Sequence, residues 1–302
     1  MVEYLRWMGQ QDDNTPISKL SIPGTHNSAA CHIALPSVKC QDHTVSTQLK
    51  NGVRFFDIRL GKQFFKDDVQ GQYRGKDLQV IHGKFPVRIP RSLKFSSVLN
   101  ELFSFLDQNP SETCIVSIKQ EGEDFTDNKS EFSQFVWSTY IEPYQDRWYL
   151  QSNVPRLCDA RNKIVLFRRF SLSDNFQGQD YGIEAAWWPF STPNEDCGLF
   201  QVQDFCELKH AENIKEKTGY VKQFLQIAIN HNSTADAPHK LFFNFCSGAN
   251  LYDTDCWPEK VAEEMLRSGL NNNLNRGCGI VILDYAGKDN WALVRQIVDS
   301  NF

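Results

Sequence analysis

Eight short apolar runs alternate with longer amphipathic stretches along this chain, and each run ends in a polar residue. The runs carry the β-branched and aromatic residues that are typical of buried strands. The polar residues at their ends are, in order, His26, Asp57 with Arg59, His82, Lys119 with Glu121, Arg168 with Arg169, Asp204, Asn244 and Asp284. Polar side chains at the carboxyl ends of strands are how a (β/α)8 barrel assembles a site. The pattern therefore predicts the α/β class, with residues 1–302 forming a single irregular (β/α)8 TIM barrel domain.

The stretches between the runs show the apolar spacing of helices. In SLKFSSVLNELFSFLDQNP the periodic residues extend from Phe95 to Leu106, and Asn109-Pro110 ends the predicted helix. The same spacing recurs in four further segments, 128–142, 207–229, 258–270 and 288–299. The connection LGKQFFKDDVQGQYRGKD, residues 60–77, has no helical spacing. We expect an extended hairpin or loop there, which makes the predicted barrel irregular.

Composition narrows the functional classes. Of the 302 residues, 41% are hydrophobic and 13% aromatic, and the net charge of -5 is spread along the chain. An acidic balance without a basic patch argues against a nucleic-acid binder. No run approaches the roughly 20 apolar residues of a membrane-spanning helix, and MVEYLRWMGQQDDN lacks the apolar middle of a signal peptide. We expect a cytoplasmic monomer, with secretion after removal of a leader as the alternative.

The nine cysteines show no metal-binding spacing such as CxxC. Cys114 and Cys278 lie in apolar runs, where buried thiols behave as small hydrophobic groups. We expect most of the thiols to be reduced, as in a cytosolic protein. Two pairs that each bracket a loop remain candidates for disulfides: Cys31 with Cys40, and Cys197 with Cys206.

Two histidines, His26 and His82, end different apolar runs, and Arg59 ends a third. Cleavage of a phosphodiester needs a base for the attacking hydroxyl and an acid for the leaving oxygen, and histidine suits both roles. The planar guanidinium of Arg59 suits phosphoryl oxygens. Asp57, two positions earlier on the same strand, faces the same side and would orient Arg59 or a histidine. The remaining histidines are interpreted as core or surface residues: His32, His43, His210, His231 and His239.

The motifs SIPGTHNS, GVRFFDIR and HG together resemble the bacterial type of phosphatidylinositol-specific phospholipase C. The stretches NPSETCIVSIKQE, NKIVLFRRFS, FQVQDF, LFFNF and GIVILDYAG match the same family in the same order, so the resemblance covers almost the whole chain. It implies an irregular TIM barrel that cleaves phosphatidylinositol to diacylglycerol and inositol 1,2-cyclic phosphate during transient contact with a membrane surface. Free phosphatidylinositol, a glycosylated anchor and a phosphorylated inositide all remain open as substrates.

The resemblance also implies a role for each matching residue. His26 would deprotonate the inositol 2-hydroxyl, with Asp284 orienting its ring, and His82 would protonate the departing diacylglycerol oxygen. Arg59 would hold the phosphate. Its fixed cation stands where calcium-dependent relatives place acidic ligands, so no metal or other cofactor is implied. Three further positions match residues that bind the inositol hydroxyls: Lys119, Arg169 and Asp204.

Two positions depart from the bacterial pattern. Asn27 follows the first histidine where the family usually has Asp, and calcium-dependent members carry Asn there, which leaves calcium open as an alternative. Cys206 stands in the substrate site where the family usually offers a tyrosine, and Phe205 would point to the opposite face. The nearby aromatic residues of the preceding loop, Trp187, Trp188 and Phe190, are candidates to replace that contact or to touch a membrane.

The segment CHIALPSVKCQDHTVSTQLK should flank the mouth of the site. We expect a short helix there that presents Ile33 and Leu35, either to the barrel or to lipid. Two competing functions also remain. One is a metal-dependent glycerophosphodiesterase-like enzyme of the same barrel type. The other is a non-catalytic protein that binds inositol phosphates or lipid, a reading that Asn27 and Cys206 favour and the complete histidine pair opposes.

Overall fold

The computed structural model describes residues 2–62, 68–69, 72–73, 75–122 and 129–302. The strands in these residues are β1 (Ser21–Thr25), β2 (Phe55–Gly61), β3 (Asp68–Val69), β4 (Gln72–Tyr73), β5 (Gln79–His82), β6 (Phe85–Pro86), β7 (Cys114–Gln120), β8 (Trp148–Tyr149), β9 (Ile164–Arg169), β10 (Ile183–Glu184), β11 (Glu195–Asp196), β12 (Phe200–Gln203), β13 (Leu241–Phe245) and β14 (Gly279–Leu283). The α-helices are α1 (Val45–Lys50), α2 (Phe95–Gln108), α3 (Lys129–Val136), α4 (Leu157–Ala160), α5 (Asn213–Ser233), α6 (Pro258–Arg267) and α7 (Lys288–Asp299).

Twelve of the strands form one curled sheet, and its long ladders are parallel. Its order is β10-β9-β7-β2-β1-β14-β13-β12-β11, with β5, β6 and β8 attached beside this path. β1 pairs with both β14 and β2, so the first and last strands of the chain are neighbours. The fold is the predicted α/β barrel, and it is irregular: within the described residues no ladder joins β10 to β12.

The expectation that the third apolar run is a parallel barrel strand is wrong. This run is β5, and it pairs antiparallel with β2, Leu60 opposite Val80. A parallel return needs a crossover of a dozen or more residues, usually a helix. The connection after β2 instead contains the predicted hairpin, β3 with β4; the rest of that call, residues 63–67, 70–71 and 74, lies outside the described residues. β5 thus lies outside the main strand order, whereas the short β10, which is parallel to β9, forms part of it.

The predicted helices are confirmed. α2 begins at Phe95 and ends before Asn109-Pro110, and it buries the periodic apolar face. The other four segments correspond to α3, α5, α6 and α7, although α5 begins only at Asn213 and α6 ends at Arg267; residue 128 of the first lies outside the described residues. α3 continues as a π-helical turn over Trp137–Ile141. These helices cover the sheet, and their apolar faces join its strands in the core.

A buried ion pair fixes the end of the barrel away from the polar strand ends. Arg54 and Glu112 precede β2 and β7, and their side chains are fully buried 2.7 Å apart. Arg54 also donates to the carbonyls of Leu5, Leu49 and Val53, so both terminal nitrogens of its guanidinium group have hydrogen-bond acceptors. Stability of the fold requires both partners, because an unpaired charge in such a place is strongly destabilising.

Neither candidate disulfide is formed, because all nine cysteines are free thiols. Cys31 is half-buried, whereas Cys40 is fully buried and its sulfur lies 3.9 Å from the side-chain amide of Asn27. Cys197 and Cys206 are both half-buried and unpaired. The expectation of mostly reduced cysteines is the one that matches the structure.

The short helix expected after His26 is also absent from its predicted place. Residues 31–43 form turns, and α1 begins only at Val45, where the Thr44 hydroxyl accepts a hydrogen bond from the Thr47 amide. Pro36 restricts the preceding residue to extended backbone, which opposes a helix through this stretch. Ile33 is nevertheless 82% exposed and Leu35 46% exposed, so both present apolar surface.

Candidate active site

A cleft of about 460 Å³ opens where the parallel strands end, and seven of the ten predicted site residues line it. These seven are His26, Arg59, His82, Lys119, Arg169, Asp204 and Cys206. The other three, Asn27, Asp57 and Asp284, are buried directly behind them. The five histidines interpreted as core or surface residues do not line this cleft.

Strand register places His26 beside Asp284. Thr25 is the register partner of Leu283, so the residues that follow them leave the sheet side by side. His26 Nδ1 lies 2.8 Å from Asp284 Oδ1. With the Nδ1 proton donated to this carboxylate, the Nε2 lone pair faces Asn27, whose amide nitrogen lies 3.2 Å away. The pair thus holds the tautomer that a general base requires.

Electrostatics keep His26 in its neutral form. Burial lowers the pKa of His26 well below its usual value, and the positive charge of Arg59 lowers it further, against the opposing effect of Asp57. Burial likewise raises the pKa of Asp284, while Arg59 opposes that rise. A neutral imidazole that shares its Nδ1 proton with a buried carboxyl group is ready to accept a proton at Nε2.

Both residues that follow this pair have left-handed backbone. Asn27 has φ 40° and Tyr285 has φ 45°, and asparagine tolerates this conformation better than most residues. Gln41 ties the two turns together, because its side-chain amide donates to the carbonyls of His26 and Leu283 at 2.9 Å each. Sequence reasoning missed Gln41, since it lies in a loop without a periodic pattern.

His82 faces His26 across the cleft, with ring centroids 5.7 Å apart. Its Nδ1 lies 3.0 Å from the carbonyl oxygen of Val38, so Nδ1 carries a proton and Nε2 is the atom available for exchange. Burial lowers the pKa of His82, and the charge of Arg59 adds to this, while the Val38 hydrogen bond and Glu121 oppose it. Two histidines thus meet on one cleft from β1 and β5.

Three cations stand in a row across neighbouring strands. Arg59 on β2 is the register partner of Lys119 on β7, which is the register partner of Arg169 on β9. The fully buried Asp57 lies between the two arginines, with its oxygens 3.1 Å from Arg59 and 3.4 Å from Arg169. Burial alone would raise the pKa of Asp57, but the two guanidinium groups hold it well below its usual range. Asp57 is therefore paired with both arginines of this row.

Glu121 completes this row of charges. Its carboxylate lies 2.9 Å from Lys119 and 3.3 Å from Arg59, and it accepts a hydrogen bond from the Gly83 amide beside His82. Burial raises the pKa of Glu121, but Arg59 and Lys119 outweigh that effect and bring it to about 2. The sequence carried a signal for this residue, since it ends the same run as Lys119.

The far side of the cleft is built by Trp188, Arg169 and Asp204. The Arg169 guanidinium carbon lies 3.8 Å from the centre of a Trp188 ring, and the indole NH donates to Asp204 at 3.1 Å. Trp188 therefore connects two predicted substrate-binding residues, whereas Trp187 is 73% exposed. Phe205 points away and contacts the Tyr220 ring, as expected.

The donor set does not fit a calcium ion. Calcium takes six to eight oxygen ligands, but both oxygens of Asp57 and the Oε1 of Glu121 are already engaged by arginine or lysine. Asn27 directs its amide nitrogen, not its oxygen, toward His26. The carboxylates of Asp57 and Glu121 are thus paired with cations of the protein itself, which leaves few oxygen ligands for a calcium ion.

Comparisons with known proteins identify one family. Residues 14–170 match the family model described as phosphatidylinositol-specific phospholipase C, X domain. The 1-phosphatidylinositol phosphodiesterase of Listeria monocytogenes is 28% identical over 98% of this chain and 84% of its own length. Its namesake from Staphylococcus aureus strain Newman is 27% identical, over 98% and 93% respectively. A solved structure of a phosphatidylinositol-specific phospholipase C variant from Staphylococcus aureus matches with a TM-score of 0.76 at 25% identity, covering 99% of this chain and 98% of that one.

Proposed function

This chain belongs to the phosphatidylinositol-specific phospholipase C X-domain family, and from that premise we propose that it cleaves phosphatidylinositol. The products are diacylglycerol and inositol 1,2-cyclic phosphate. The observation that carries the proposal is the pair of histidines that face each other across the cleft, one of them bonded to Asp284, with Arg59 beside both. The metal-dependent glycerophosphodiesterase alternative is disfavoured because the carboxylates of the cleft are occupied by cations.

The first step forms the cyclic phosphate. His26 Nε2 takes the proton of the inositol 2-hydroxyl, and the oxygen attacks phosphorus. Asp284 stabilises the imidazolium that forms, because its Oδ1 accepts a hydrogen bond from the Nδ1–H group at 2.8 Å. Asn27 must release Nε2 for this step, since its amide nitrogen lies 3.2 Å from that atom.

The leaving oxygen receives its proton from His82. The bond from phosphorus to the glycerol oxygen breaks as the Nε2 proton of the His82 imidazolium is transferred to that oxygen. Arg59 binds the phosphoryl oxygens, whose negative charge grows in the transition state. Its own orientation is fixed by Asp57 and Glu121, so little reorganisation is needed during the reaction.

The remaining polar residues suit the inositol ring. Lys119, Arg169 and Asp204 face the cleft and provide two cationic donors and one carboxylate acceptor for ring hydroxyls. Cys206 leaves room where an aromatic ring would otherwise stand, and Trp188 supplies the aromatic surface from the preceding loop. A single chain supplies every one of these residues, so the proposed function needs no partner subunit.

Exposed apolar side chains support a transient contact with a membrane surface. Trp187 and Phe190 are 73% and 77% exposed and line the cleft. Ile33 and Ile89 lie side by side in two other loops, joined by a backbone hydrogen bond of 2.9 Å, and both are exposed. Within the described residues no helix is both long and apolar enough to cross a membrane.

Cellular location follows from none of these contacts. Nine unpaired thiols support a reducing compartment, and a cytoplasmic location stays a prediction.

Product analysis tests the proposed function. The protein is incubated with phosphatidylinositol vesicles, with and without EDTA, beside the His26→Ala variant as the inactive control. We expect diacylglycerol and cyclic inositol phosphate in both buffers, and loss of both products in the variant together with retained vesicle binding. Products that disappear with EDTA would contradict the metal-free mechanism. Absence of products in every sample would favour the non-catalytic lipid binder.

A further inference from the structure

We propose that this protein contains an inhibitory site for a thiophilic divalent ion such as Zn²⁺, formed by His26, Cys40 and Asp284. The site goes beyond the proposed function, because the ion is not a cofactor: it removes the general base from the reaction. Metal binding at this site does not depend on the proposed function. Inhibition does, because it is measured as a loss of turnover.

Cys40 places a thiol inside the catalytic group of side chains. It is fully buried, and its sulfur lies 3.6 Å from His82 Nδ1 and 3.9 Å from the Asn27 amide nitrogen. One ligand atom from each of His26, Cys40 and Asp284 lies within 4.8 Å of the other two. In the part of the chain that the structure describes, no other three His, Cys, Asp or Glu side chains meet this closely.

Asp284 supplies a second, independent indication of a ligand. Its Oδ1 is bonded to His26, but its Oδ2 is buried and has no hydrogen-bond partner among the described residues. Buried polar atoms without partners are rare in folded proteins. A metal ion in contact with this carboxylate would give the second oxygen the partner that the protein does not provide.

The three donors select a particular class of ion. A thiolate, an imidazole and a carboxylate are the ligands that zinc takes in proteins, and three of them leave a fourth position for water. Calcium and magnesium prefer oxygen ligands alone, so neither should compete at this site. The thiol of Cys40 loses its proton to solvent when the metal binds.

Only a small adjustment is needed to close the site. Ligands at about 2.0–2.3 Å from a tetrahedral zinc ion lie roughly 3.5 Å apart, against the present limit of 4.8 Å. Cys40 lies in the turn-rich segment 31–43, so a shift of about 1 Å involves no helix or strand. His26 is partly exposed to the cleft, which gives the ion a route to the site.

Binding at either ring nitrogen of His26 stops the proton transfer. An ion on Nε2 occupies the lone pair that would accept the proton of the inositol hydroxyl. An ion on Nδ1 displaces the proton shared with Asp284, and the neutral ring then carries its proton on Nε2. In both cases the base is lost while the phosphate-binding residue Arg59 stays in place.

Calorimetric titration with zinc chloride tests the site without any substrate. We expect one zinc ion per chain in the wild-type protein, with an affinity that falls at least about tenfold in Cys40→Ser, or about 1.4 kcal/mol. Cys31→Ser is the matched control, because it removes a half-buried thiol of the same segment, and its zinc affinity should be unchanged. Magnesium chloride should give no binding heat in any of the three proteins.

Turnover provides the second readout. Zinc should inhibit the wild-type protein and Cys31→Ser at the same concentration, and EDTA should restore activity. Cys40→Ser should need at least about ten times more zinc for the same inhibition.

Equal zinc affinity in Cys40→Ser and wild type would overturn the site, as would zinc bound through Cys40 without inhibition. If Cys40→Ser does not fold, cobalt replaces zinc in the wild type: a thiolate-to-cobalt absorption band supports the site, and its absence at full occupancy overturns it. Zinc binding through Cys40 in a protein that never turns over phosphatidylinositol would refute the proposed function and leave the metal site standing.

Discussion

Asn27→Asp should move the pH dependence of the reaction upward and increase turnover at neutral pH. Both histidines have lowered pKa values, so above the pKa of His82 the protein lacks its protonated acid while the base stays ready. A carboxylate at position 27 favours the protonated form of each histidine. It has the same shape as the amide it replaces, and aspartate also tolerates the left-handed backbone found there.

The size of the effect follows from distances. Cys40 Sγ lies 3.9 Å from the Asn27 amide nitrogen and 3.6 Å from His82 Nδ1, so the new charge is at most about 7.5 Å from His82. At an effective dielectric constant of about 20, charges roughly 7 Å apart interact by about 2.4 kcal/mol. This corresponds to less than about two pKa units, and burying the carboxylate reduces it further. We expect the pKa of His82 to rise by about one unit.

The assay is the pH profile of kcat/KM with vesicle substrate, read together with thermal unfolding to confirm that the variant folds. A rise of about one unit in the pKa of His82 moves the basic limb of the profile upward by the same amount. The rate at a given pH on that limb then increases about tenfold. Asn162→Asp is the matched control, since Asn162 is exposed and has a left-handed φ of 60° outside the cleft. A folded Asn27→Asp variant with an unmoved basic limb, or with a lower rate at neutral pH, would refute the reasoning.

Three further outcomes are expected. Arg59→Lys keeps the charge but loses the planar fork, so kcat should fall roughly 100- to 1,000-fold, and an unchanged kcat would show that the fork is not used. Trp188→Leu removes the stacking on Arg169 and the hydrogen bond to Asp204, so it should raise KM for a soluble inositol phosphate substrate about tenfold. Trp187→Leu should instead weaken vesicle binding. If both variants change KM and vesicle binding equally, the two tryptophans do not have separate roles. Glu112→Gln leaves Arg54 without its buried counter-ion and should lower the free energy of unfolding by about 3 kcal/mol, measured by urea denaturation; a loss below about 1 kcal/mol would contradict that account.

Sequence reasoning reached the fold and most of the cleft for a physical reason. Strand carboxyl ends in a parallel sheet meet at one edge, so polar residues that end separate parallel strands converge there. His26 and Asp284 illustrate this, since register alone brings them together. Period-two or continuous apolar patterns carry no direction, however, so the sequence does not reveal that β5 is antiparallel to β2.

The contacts that the sequence leaves undecided lie in loops. Gln41 and Cys40 reach the catalytic pair through turns whose path no periodic pattern encodes. Trp187 and Trp188 are adjacent in sequence, yet one faces solvent and the other stacks on Arg169, a division that only the loop conformation decides. Neither candidate disulfide is formed for the same reason, because spacing along a loop does not fix the distance across it.

The bond between His26 and Asp284 joins residues 258 positions apart. During translation the first of them leaves the ribosome long before the second, by roughly 15 to 50 s at ordinary elongation rates. A nascent chain that has already folded its early strands therefore still lacks an oriented base. The general base is oriented only after the last strand, β14, has been made and has paired with β1, so synthesis completes the catalytic pair at its very end.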